Sequence, residues 1–452
     1  MSEPRGEEEV ELPSDAPVGG VLSFENPQVG ARGLLRSGAM VSAVALLANG
    51  FNVIFHFATA RLMGPGEYSL LTTMFAVFLI ATVPLLAVQA TITREMASLI
   101  SRGDEHGAGL VLRSAMRAMV RGGLILVVVA GILFLPLMSI LNVDRPLPIL
   151  AVAVAFLVQI PGPIASGALQ ASERFWALSW TSALQSTLKL AAGVGLAALG
   201  FGASAVTFGF AAATVVTFAA MVWVLRPYFA RTRGHELPAR RIIGRYALGA
   251  AIALGFNTAL LNTDLVWARG SLSPDGAGLY AAASVATSML LLIPIGLNTV
   301  LFARVARLRG SDGERPHLNL GLLTVVLLSV PCVAIYFAFP TTLLHLGFGT
   351  QYDDAAPLLG PLALAMAFYA LTLVYLNHLL ALGRDNVAIV MAVVLVVQQL
   401  AFLLHHGSST AIVDVQIVCS ILSVLGCELF LRLSNRDGPP AEADHPPAEA
   451  TP

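Results

Sequence analysis

The sequence contains little charge and almost no lysine. Charged residues make up 12% of its 452 positions, whereas soluble domains carry roughly 25%. Hydrophobic residues make up 56% of the chain, and its mean hydropathy is +0.78. One soluble core cannot bury that much apolar surface, so the composition excludes an ordinary soluble enzyme and predicts a membrane protein.

The scarcity of lysine and cysteine excludes further classes. The single lysine, Lys189, lies inside an apolar segment, so the chain has no Walker-type loop for ATP, which needs a lysine beside a glycine-rich turn. The three cysteines, Cys332, Cys419 and Cys427, also lie in apolar segments. We expect no metal site, no disulfide framework, no catalytic residues and no cofactor. The net charge of −1 by itself decides nothing about nucleic acid, and none is expected as a partner.

Long apolar runs indicate an all-α polytopic membrane protein. About twelve segments reach the ~20 residues that a helix needs to cross the hydrocarbon layer. They lie at roughly 38–60, 69–91, 121–141, 147–170, 176–199, 203–225, 247–268, 278–302, 319–340, 356–381, 386–405 and 411–432.

The placement of arginine predicts the orientation of these segments. Positive side chains are retained on the cytoplasmic side of short loops. With both termini inside, 22 of the 25 arginines fall on the cytoplasmic side, and Arg61, Arg145 and Arg269 fall outside. We therefore expect a multi-pass protein of the cytoplasmic membrane with both termini in the cytoplasm.

The chain also repeats itself at an offset of about 210 residues. Pro84 and Pro294 differ by 294 − 84 = 210, and Arg94 and Arg304 differ by the same amount. Six spans in each repeat give both halves the same orientation, related by an axis along the membrane normal. We expect an acidic disordered tail at 1–33, a six-helix lobe at 34–226, a cytoplasmic linker at 227–245, a second six-helix lobe at 246–433 and a disordered tail at 434–452.

Local motifs resemble those of one transporter family. They are RLMGPGEY at 61–68, GALQASERF at 167–175, NTDL at 262–265 running into SPDGAGLY at 273–280, and AAPLLG at 355–360 before ALGR at 381–384. These segments resemble the polysaccharide and O-antigen (Wzx-type) flippases of the multidrug/oligosaccharidyl-lipid/polysaccharide (MOP) exporter superfamily, whose fold is MATE-like. The sister branch that flips the peptidoglycan precursor carries a basic signature at the first span that this chain lacks.

The resemblance implies a function. Flippases of this branch move undecaprenyl-pyrophosphate-linked oligosaccharides across the bacterial inner membrane by alternating access, which makes this chain a transporter and not an enzyme. The implied partners are the lipid-linked glycan and the bilayer, with polysaccharide polymerases and glycosyltransferases as candidates. The alternative is a cation-coupled small-molecule or drug antiporter of the same superfamily. A third hypothesis is a membrane glycosyltransferase with Asp353 and Asp354 as metal ligands. Such enzymes need a large outer loop, which the predicted topology of this chain does not provide.

The polar residues inside the spans supply candidate sites. Lys189 lies halfway along its span, where a lysine costs about 2.5 to 3.5 kcal/mol and usually faces a cavity or a partner. It is a candidate ligand of the diphosphate or, alternatively, a structural lysine paired with an acid. Asp264 is that candidate counter-ion or a site of proton or sodium coupling, and His56 is a proton relay or an interhelical hydrogen-bonding group. Asn52 is a further candidate for the cavity.

The arginines and prolines near span ends complete the prediction. Arg61 and Arg269, at the outer mouth, bind the pyrophosphate on release or extend to the interface. Arg94 and Arg304, at the inner mouth, hold phosphate or only set the orientation. Pro84 and Pro294 interrupt two helices at matching depths and are candidate hinges. Other polar residues inside the spans, Gln89, Gln159 and Gln185 among them, mostly form interhelical hydrogen bonds, and those on spans one, two, seven and eight are also placed to contact sugar hydroxyls.

Overall fold

The computed structural model describes residues 31–119, 121–122, 146–230, 245–293 and 314–434, and in these ranges the chain is helical with short connections. Two 3₁₀ segments, Met289–Leu291 and Thr350–Ala355, join neighbouring helices. The helices are α1 Ala31–Leu62, α2 Pro65–Thr82, α3 Pro84–Ser101, α4 105–119, α5 Leu147–Gln159, α6 Gly162–Ala171, α7 Phe175–Ala198, α8 Ala203–Ala230, α9 Arg245–Ser271, α10 Pro274–Ser288, α11 Glu314–Ala338, α12 Pro340–Gly347, α13 Ala356–Ala381, α14 Val387–Leu404 and α15 Ser409–Ser434.

The outer surface of the helical bundle is suited to lipid. Large apolar side chains such as Leu404, Leu199 and Ile389 lie exposed along several helices, and a surface of this kind is unfavourable in water. Within the described residues, six helical segments are long and apolar enough to span a membrane, and the bent pair α2 and α3 makes a seventh. The six are Leu147–Ala171, Ala203–Phe229, Leu318–Ala338, Thr350–Ala381, Val387–Leu404 and Ser409–Ser434.

The two halves of the chain pack in the same pattern. In the N-terminal half α1 packs on α7, α7 on α8, and α8 on α5; in the C-terminal half α9 packs on α14, α14 on α15, and α15 on α13. Pro65 and Pro274 begin the matching helices α2 and α10, at an offset of 274 − 65 = 209. Ala171 and Ala381 end α6 and α13, at an offset of 381 − 171 = 210. The halves contact each other through α2 with α10 and α9, and through α3 with α9.

Two predicted spans are broken in the structure. The span at 69–91 is interrupted at Val83, where α2 and α3 meet at an angle of 42°. The break follows from Pro84, which has no N–H to donate and crowds the preceding turn. The span at 147–170 is interrupted between α5 and α6 at Ile160 and Pro161, without a bend of that size, and remains one spanning segment. Both breaks lie in the N-terminal half and both line the cavity described below.

Other predicted segments differ from the structure or lie outside it. Residues 340–355, treated from the sequence as an outer loop, form α12 and a 3₁₀ segment, and α4 forms ahead of the predicted third span. Nearly all of that span, together with Pro294, Arg304, most of the linker and nearly all of both tails, lies outside the described residues.

Candidate functional site

Lys189 is enclosed by aromatic rings in the N-terminal half. Its Nζ donates a hydrogen bond of 2.6 Å to Oδ1 of Asn52 on α1. The same ammonium lies 4.4 Å from the ring centroid of Phe55, 4.6 Å from that of Phe75 and 5.7 Å from that of Phe210. A cation over ring faces is stabilised by their quadrupoles, the more so when it is desolvated. Lys189 is therefore held as a cation by an amide and three rings rather than by a carboxylate.

The face of α7 that carries Lys189 explains this position. Gln185, Lys189 and Gly193 are spaced four residues apart and so lie on one face of the helix. At Gly193 the ring of Phe55 occupies the space that a Cβ would need. Glycine thus lets the ring approach α7 and reach the ammonium one turn away.

The matching position in the C-terminal half carries no charge. Gln399, 210 residues after Lys189, lies on α14 and bonds to α9 as Lys189 bonds to α1. Its Oε1 accepts from Trp267 Nε1 at 2.9 Å, and its Nε2 donates to Thr263 Oγ1 at 3.1 Å. Next to it, buried Gln398 donates to the Leu260 carbonyl and to Gln416 at 3.0 Å each. These interhelical bonds fix α14 and α15 on α9.

A cavity of about 330 Å³ lies next to both helix breaks; its lining comes from the N-terminal half except for Thr258 of α9. We call it the glutamine cavity, because Gln89 of α3, Gln159 of α5 and Gln185 of α7 line it together with Val83 at the first break. Gln159 Oε1 is buried there and has no hydrogen-bond partner in the structure. The other polar lining residues are Thr82, Ser166, Thr214, Thr217 and Thr258.

The glutamine cavity is polar but neutral. No charged side chain is among the described residues that line it. Lys189 is one turn, about 6 Å along α7, from Gln185. Phe210 lies on α8, one turn from Thr214, and its ring contacts Phe75 and Phe78 at centroid distances of 5.3 and 5.2 Å. The cationic side chain and the neutral cavity are thus neighbouring parts of one site region.

Asp264 and His56 occupy matching places in the two halves. Asp264 is fully buried on α9, and its Oδ2 accepts from Tyr280 Oη at 2.7 Å and from Ser284 Oγ at 3.3 Å. Its Oδ1 is buried without a partner. On α1, His56 Nδ1 lies 3.3 Å from Tyr68 Oη. In each half a tyrosine of the second helix bonds a titratable group of the first.

The structure does not pair Lys189 with Asp264. The hydrogen bond of the lysine goes to Asn52 in the N-terminal half, and the carboxylate is bonded within the C-terminal half. The counter-ion role considered for Asp264 from the sequence therefore has no contact to support it in this conformation. The buried acid is left with neutral donors only among its described hydrogen-bond partners.

Arg61 and Arg269 connect the halves at the end of the bundle where Pro65 and Pro274 lie. Arg61 donates to the carbonyls of His345 and Leu346, at the C-terminal end of α12. Arg269 donates to Ser69 Oγ at 2.7 Å and to the Gly66 carbonyl at 3.3 Å. Each arginine thus has protein partners for one of its terminal nitrogens in this conformation, while Arg269 Nε is buried without a partner.

Further contacts close the same end, which we call the Pro65 end. Tyr352 Oη and Gln351 Nε2 donate to the Ala60 carbonyl at 3.1 and 2.8 Å, at a helix end where carbonyls lack helical partners. A Cβ at Gly278 would overlap the backbone carbonyl of Pro65. The first turns of α2 and α10 can therefore touch only because position 278 is glycine.

The remaining predicted residues lie apart from this region or outside it. Arg94 is exposed near the end of α3, away from the Pro65 end. Pro84 lies at the 42° bend, whereas Pro294 and Arg304 lie outside the described residues. In the described ranges, no three His, Cys, Asp or Glu side chains come together as metal ligands would. The three glutamines are far apart in the sequence, and the one sequence feature that hints at a cavity beside them is the pair Pro161 and Pro163 next to Gln159.

Comparison with solved structures identifies the fold. A multidrug resistance MATE family transporter of the MOP superfamily, in an inward-facing conformation, is 16% identical with a TM-score of 0.67, over 86% of this chain and 95% of that one. The lipid II flippase MurJ in an inward closed conformation is 12% identical with a TM-score of 0.67, over 87% of each chain. A MOP superfamily transporter from Pyrococcus furiosus is 14% identical with a TM-score of 0.59, over 88% and 96%.

These similarities confirm the predicted fold class, an all-α, MATE-like polytopic membrane protein. No curated protein matches the sequence. The family model described as polysaccharide biosynthesis protein matches residues 58–357, which include α2 to α13 in part or whole and the residues of both halves that meet at the Pro65 end. The chain belongs to this polysaccharide biosynthesis protein family of multi-pass membrane proteins.

Proposed function

We propose that the protein is a flippase of a bacterial inner membrane that moves undecaprenyl-pyrophosphate-linked oligosaccharide from the cytoplasmic to the outer leaflet. The observation that carries the proposal is the cation Lys189 one helical turn from a neutral, hydroxyl- and amide-lined cavity. A diphosphate needs a cationic ligand, whereas a sugar needs neutral hydrogen-bonding groups. Membership of a polysaccharide biosynthesis family favours such a substrate over a drug.

The proposed transport cycle is alternating access. The Pro65 end is closed by hydrogen bonds between the halves. The glutamine cavity begins at Leu79, 14 residues along α2 from Pro65, which is about 20 Å along the helix axis. With the predicted orientation, the closed end faces the periplasm and both termini are cytoplasmic. Polysaccharide polymerases and glycosyltransferases would act beside the flippase on either face.

The test is translocation of a fluorescent undecaprenyl-pyrophosphate trisaccharide in proteoliposomes. Lys189→Gln removes the charge and keeps a hydrogen-bonding side chain, while Lys189→Arg keeps the charge. We expect glutamine to lower the rate at least about tenfold, since charged hydrogen bonds contribute about 1.5 to 3 kcal/mol, and arginine to retain part of the rate. Thr187→Val, on the exposed face of the same helix, is the matched control. Equal rates for Lys189→Gln and wild type would remove Lys189 from the site.

A cation-coupled small-molecule antiporter is the second candidate. The observation that favours it is Asp264, a fully buried carboxylate with one unpartnered oxygen, which suits the binding of a proton or a sodium ion. Export of a cationic dye by vesicles in which the lipid-linked trisaccharide does not move would establish this function instead. In the flippase proposal Asp264 and His56 serve the coupling of the same cycle.

A further inference from the structure

The glutamine cavity has a hydrogen-bonding pattern that selects among ligands. Thr82, Thr214, Thr217 and Thr258 each donate their hydroxyl proton to a carbonyl of their own helix, at 2.9 to 3.0 Å. Each hydroxyl oxygen then has lone pairs left to accept a hydrogen bond. The cavity wall therefore offers acceptors from threonine, while donors must come from the amides of the glutamines.

The glutamines contribute both kinds of group. Gln159 Oε1 is a buried acceptor with no donor in the structure, and leaving such a group unpaired is unfavourable. Gln185 Nε2 donates only a long bond of 3.4 Å to Thr214. A ligand with hydroxyl groups would donate to Gln159 and the threonines and accept from the amide nitrogens. An acetamido group would satisfy the same wall.

An anionic ligand would be disfavoured in the same space. A carboxylate enters a buried site only when a cation or several donors replace its hydration. No cation lines the cavity among the described residues, and the Lys189 ammonium lies one helical turn outside it, beside Asn52. The cavity volume of about 330 Å³ is at the lower end of the range for small-molecule sites, which suits one or two sugar rings.

We propose that the glutamine cavity binds an uncharged sugar unit of the glycan, one bearing hydroxyl or acetamido groups, and rejects a uronic acid at that place. This inference rests on the proposed function, because it assigns one part of the same substrate. In that proposal Lys189 binds the diphosphate, and the glutamine cavity binds the sugar. The glycan specificity of the protein then lies mainly in α3, α5, α7 and α8, with Thr82 of α2 and Thr258 of α9.

The experiment measures binding to the purified full-length protein in detergent. The first probe, called the glucose probe, is a water-soluble ten-carbon prenyl-diphosphate disaccharide that ends in glucose. The second, the glucuronate probe, is identical except that it ends in glucuronate. The proteins are wild type, Gln159→Leu, Gln89→Lys and Thr187→Val. We expect wild type to bind the glucose probe at least about tenfold more tightly than the glucuronate probe, because the glucuronate carboxylate would be buried in the cavity without a cationic partner.

Each variant has its own expected result. Gln159→Leu should weaken binding of the glucose probe several-fold while the Tm of the protein without ligand stays the same or rises, since an unpartnered buried oxygen is removed. A merely structural glutamine would lower the Tm together with binding. Gln89→Lys places a cation at the cavity and should reverse or abolish the preference for glucose. Thr187→Val should behave as wild type.

The outcomes separate the inference from the function on which it rests. Equal binding of both probes by wild type, binding of neither, or an unchanged preference in Gln89→Lys would overturn the assignment of the cavity. A clear preference in binding, combined with no translocation of the undecaprenyl-linked trisaccharide in vesicles, would overturn the flippase function and leave the sugar site standing. If translocation occurs at the same rate with either terminal sugar and is unchanged in Gln159→Leu, the flippase function stands and the sugar site is overturned.

Discussion

Arg61 and Arg269 stand near the ends of the first helix of each half, and each donates hydrogen bonds to the opposite half. Arg61 reaches carbonyls at the end of α12, and Arg269 reaches Gly66 and Ser69 of α2. Cations at helix C-termini are favoured by the unpaired carbonyls there. The two arginines thus stabilise closure of the Pro65 end from both sides, a role that the sequence did not separate from phosphate binding or interface placement.

Replacing both arginines should open the Pro65 end. We expect Arg61→Ala with Arg269→Ala to shift the equilibrium towards the open form by about 1 to 3 kcal/mol, because charged hydrogen bonds are lost. Spin labels at Gly64, which has open space around it, and at exposed Asp354 report the separation in a background without cysteine. A longer distance population should appear. Arg94→Ala, far from this end, is the control, and an unchanged distance distribution in the double variant would contradict the assignment.

Gly278 provides a second and sharper test of the same contact. In Gly278→Ala the new methyl group would overlap the Pro65 backbone, so α2 and α10 must move apart. We expect a lower Tm and a more open Pro65 end. Gly195→Ala is the matched control, since nothing lies near its Cβ position and alanine favours a helix by up to about 1 kcal/mol. Thermal unfolding in detergent should show opposite changes in Tm for the two variants.

The bond between Asn52 and Lys189 should appear as an energetic coupling. Asn52→Leu leaves the ammonium without its only hydrogen-bond acceptor in the described residues, and we expect a loss of about 1.5 to 3 kcal/mol. Lys189→Met in the same background removes the need for that acceptor. The double variant should therefore be more stable than the sum of the single changes indicates, by roughly 1 kcal/mol or more. Additive changes in unfolding free energy would mean that the two side chains do not stabilise each other.

Asp264→Asn tests whether the buried acid serves ion coupling. The asparagine carbonyl still accepts from Tyr280, so α9 and α10 should remain packed. We expect transport driven by a proton or sodium gradient to lose its dependence on that gradient, while downhill movement of substrate continues. His56→Gln supplies the comparison at the matching position on α1. If gradient-driven transport by Asp264→Asn equals that of wild type, coupling lies elsewhere.

The repeat was the most informative part of the sequence. The offset of about 210 residues predicted matching halves, and the structure has Pro65 with Pro274 and Ala171 with Ala381 at equivalent helix ends. Gln399, 210 residues after Lys189, also bonds to the first helix of its half, as Lys189 does. Such matches can be read from the sequence because apolar length, prolines and repeats are local properties of the chain.

The side-chain partners could not be predicted in the same way. A lysine in a span suggests an acid nearby, yet Lys189 is bonded to the amide of Asn52 on α1. Its other partners are aromatic rings from α1, α2 and α8. Which helices meet, and at what rotation, depends on packing over the whole bundle. The interruption at Pro161 was missed for a related reason: the apolar run continues through it, and composition alone does not report where a helix is interrupted.

The enclosure of Lys189 also bears on how the chain is made. Asn52, Phe55 and Phe75 are synthesised more than 100 residues before the lysine, and Phe210 follows it by 21. A lysine entering the bilayer alone costs about 2.5 to 3.5 kcal/mol. The amide and two of the three rings have already left the ribosome when α7 emerges, so α1 and α2 can receive the charge during biosynthesis, and α8 completes the enclosure once it follows. Assembly of this half is thereby tied to the order in which its helices are translated.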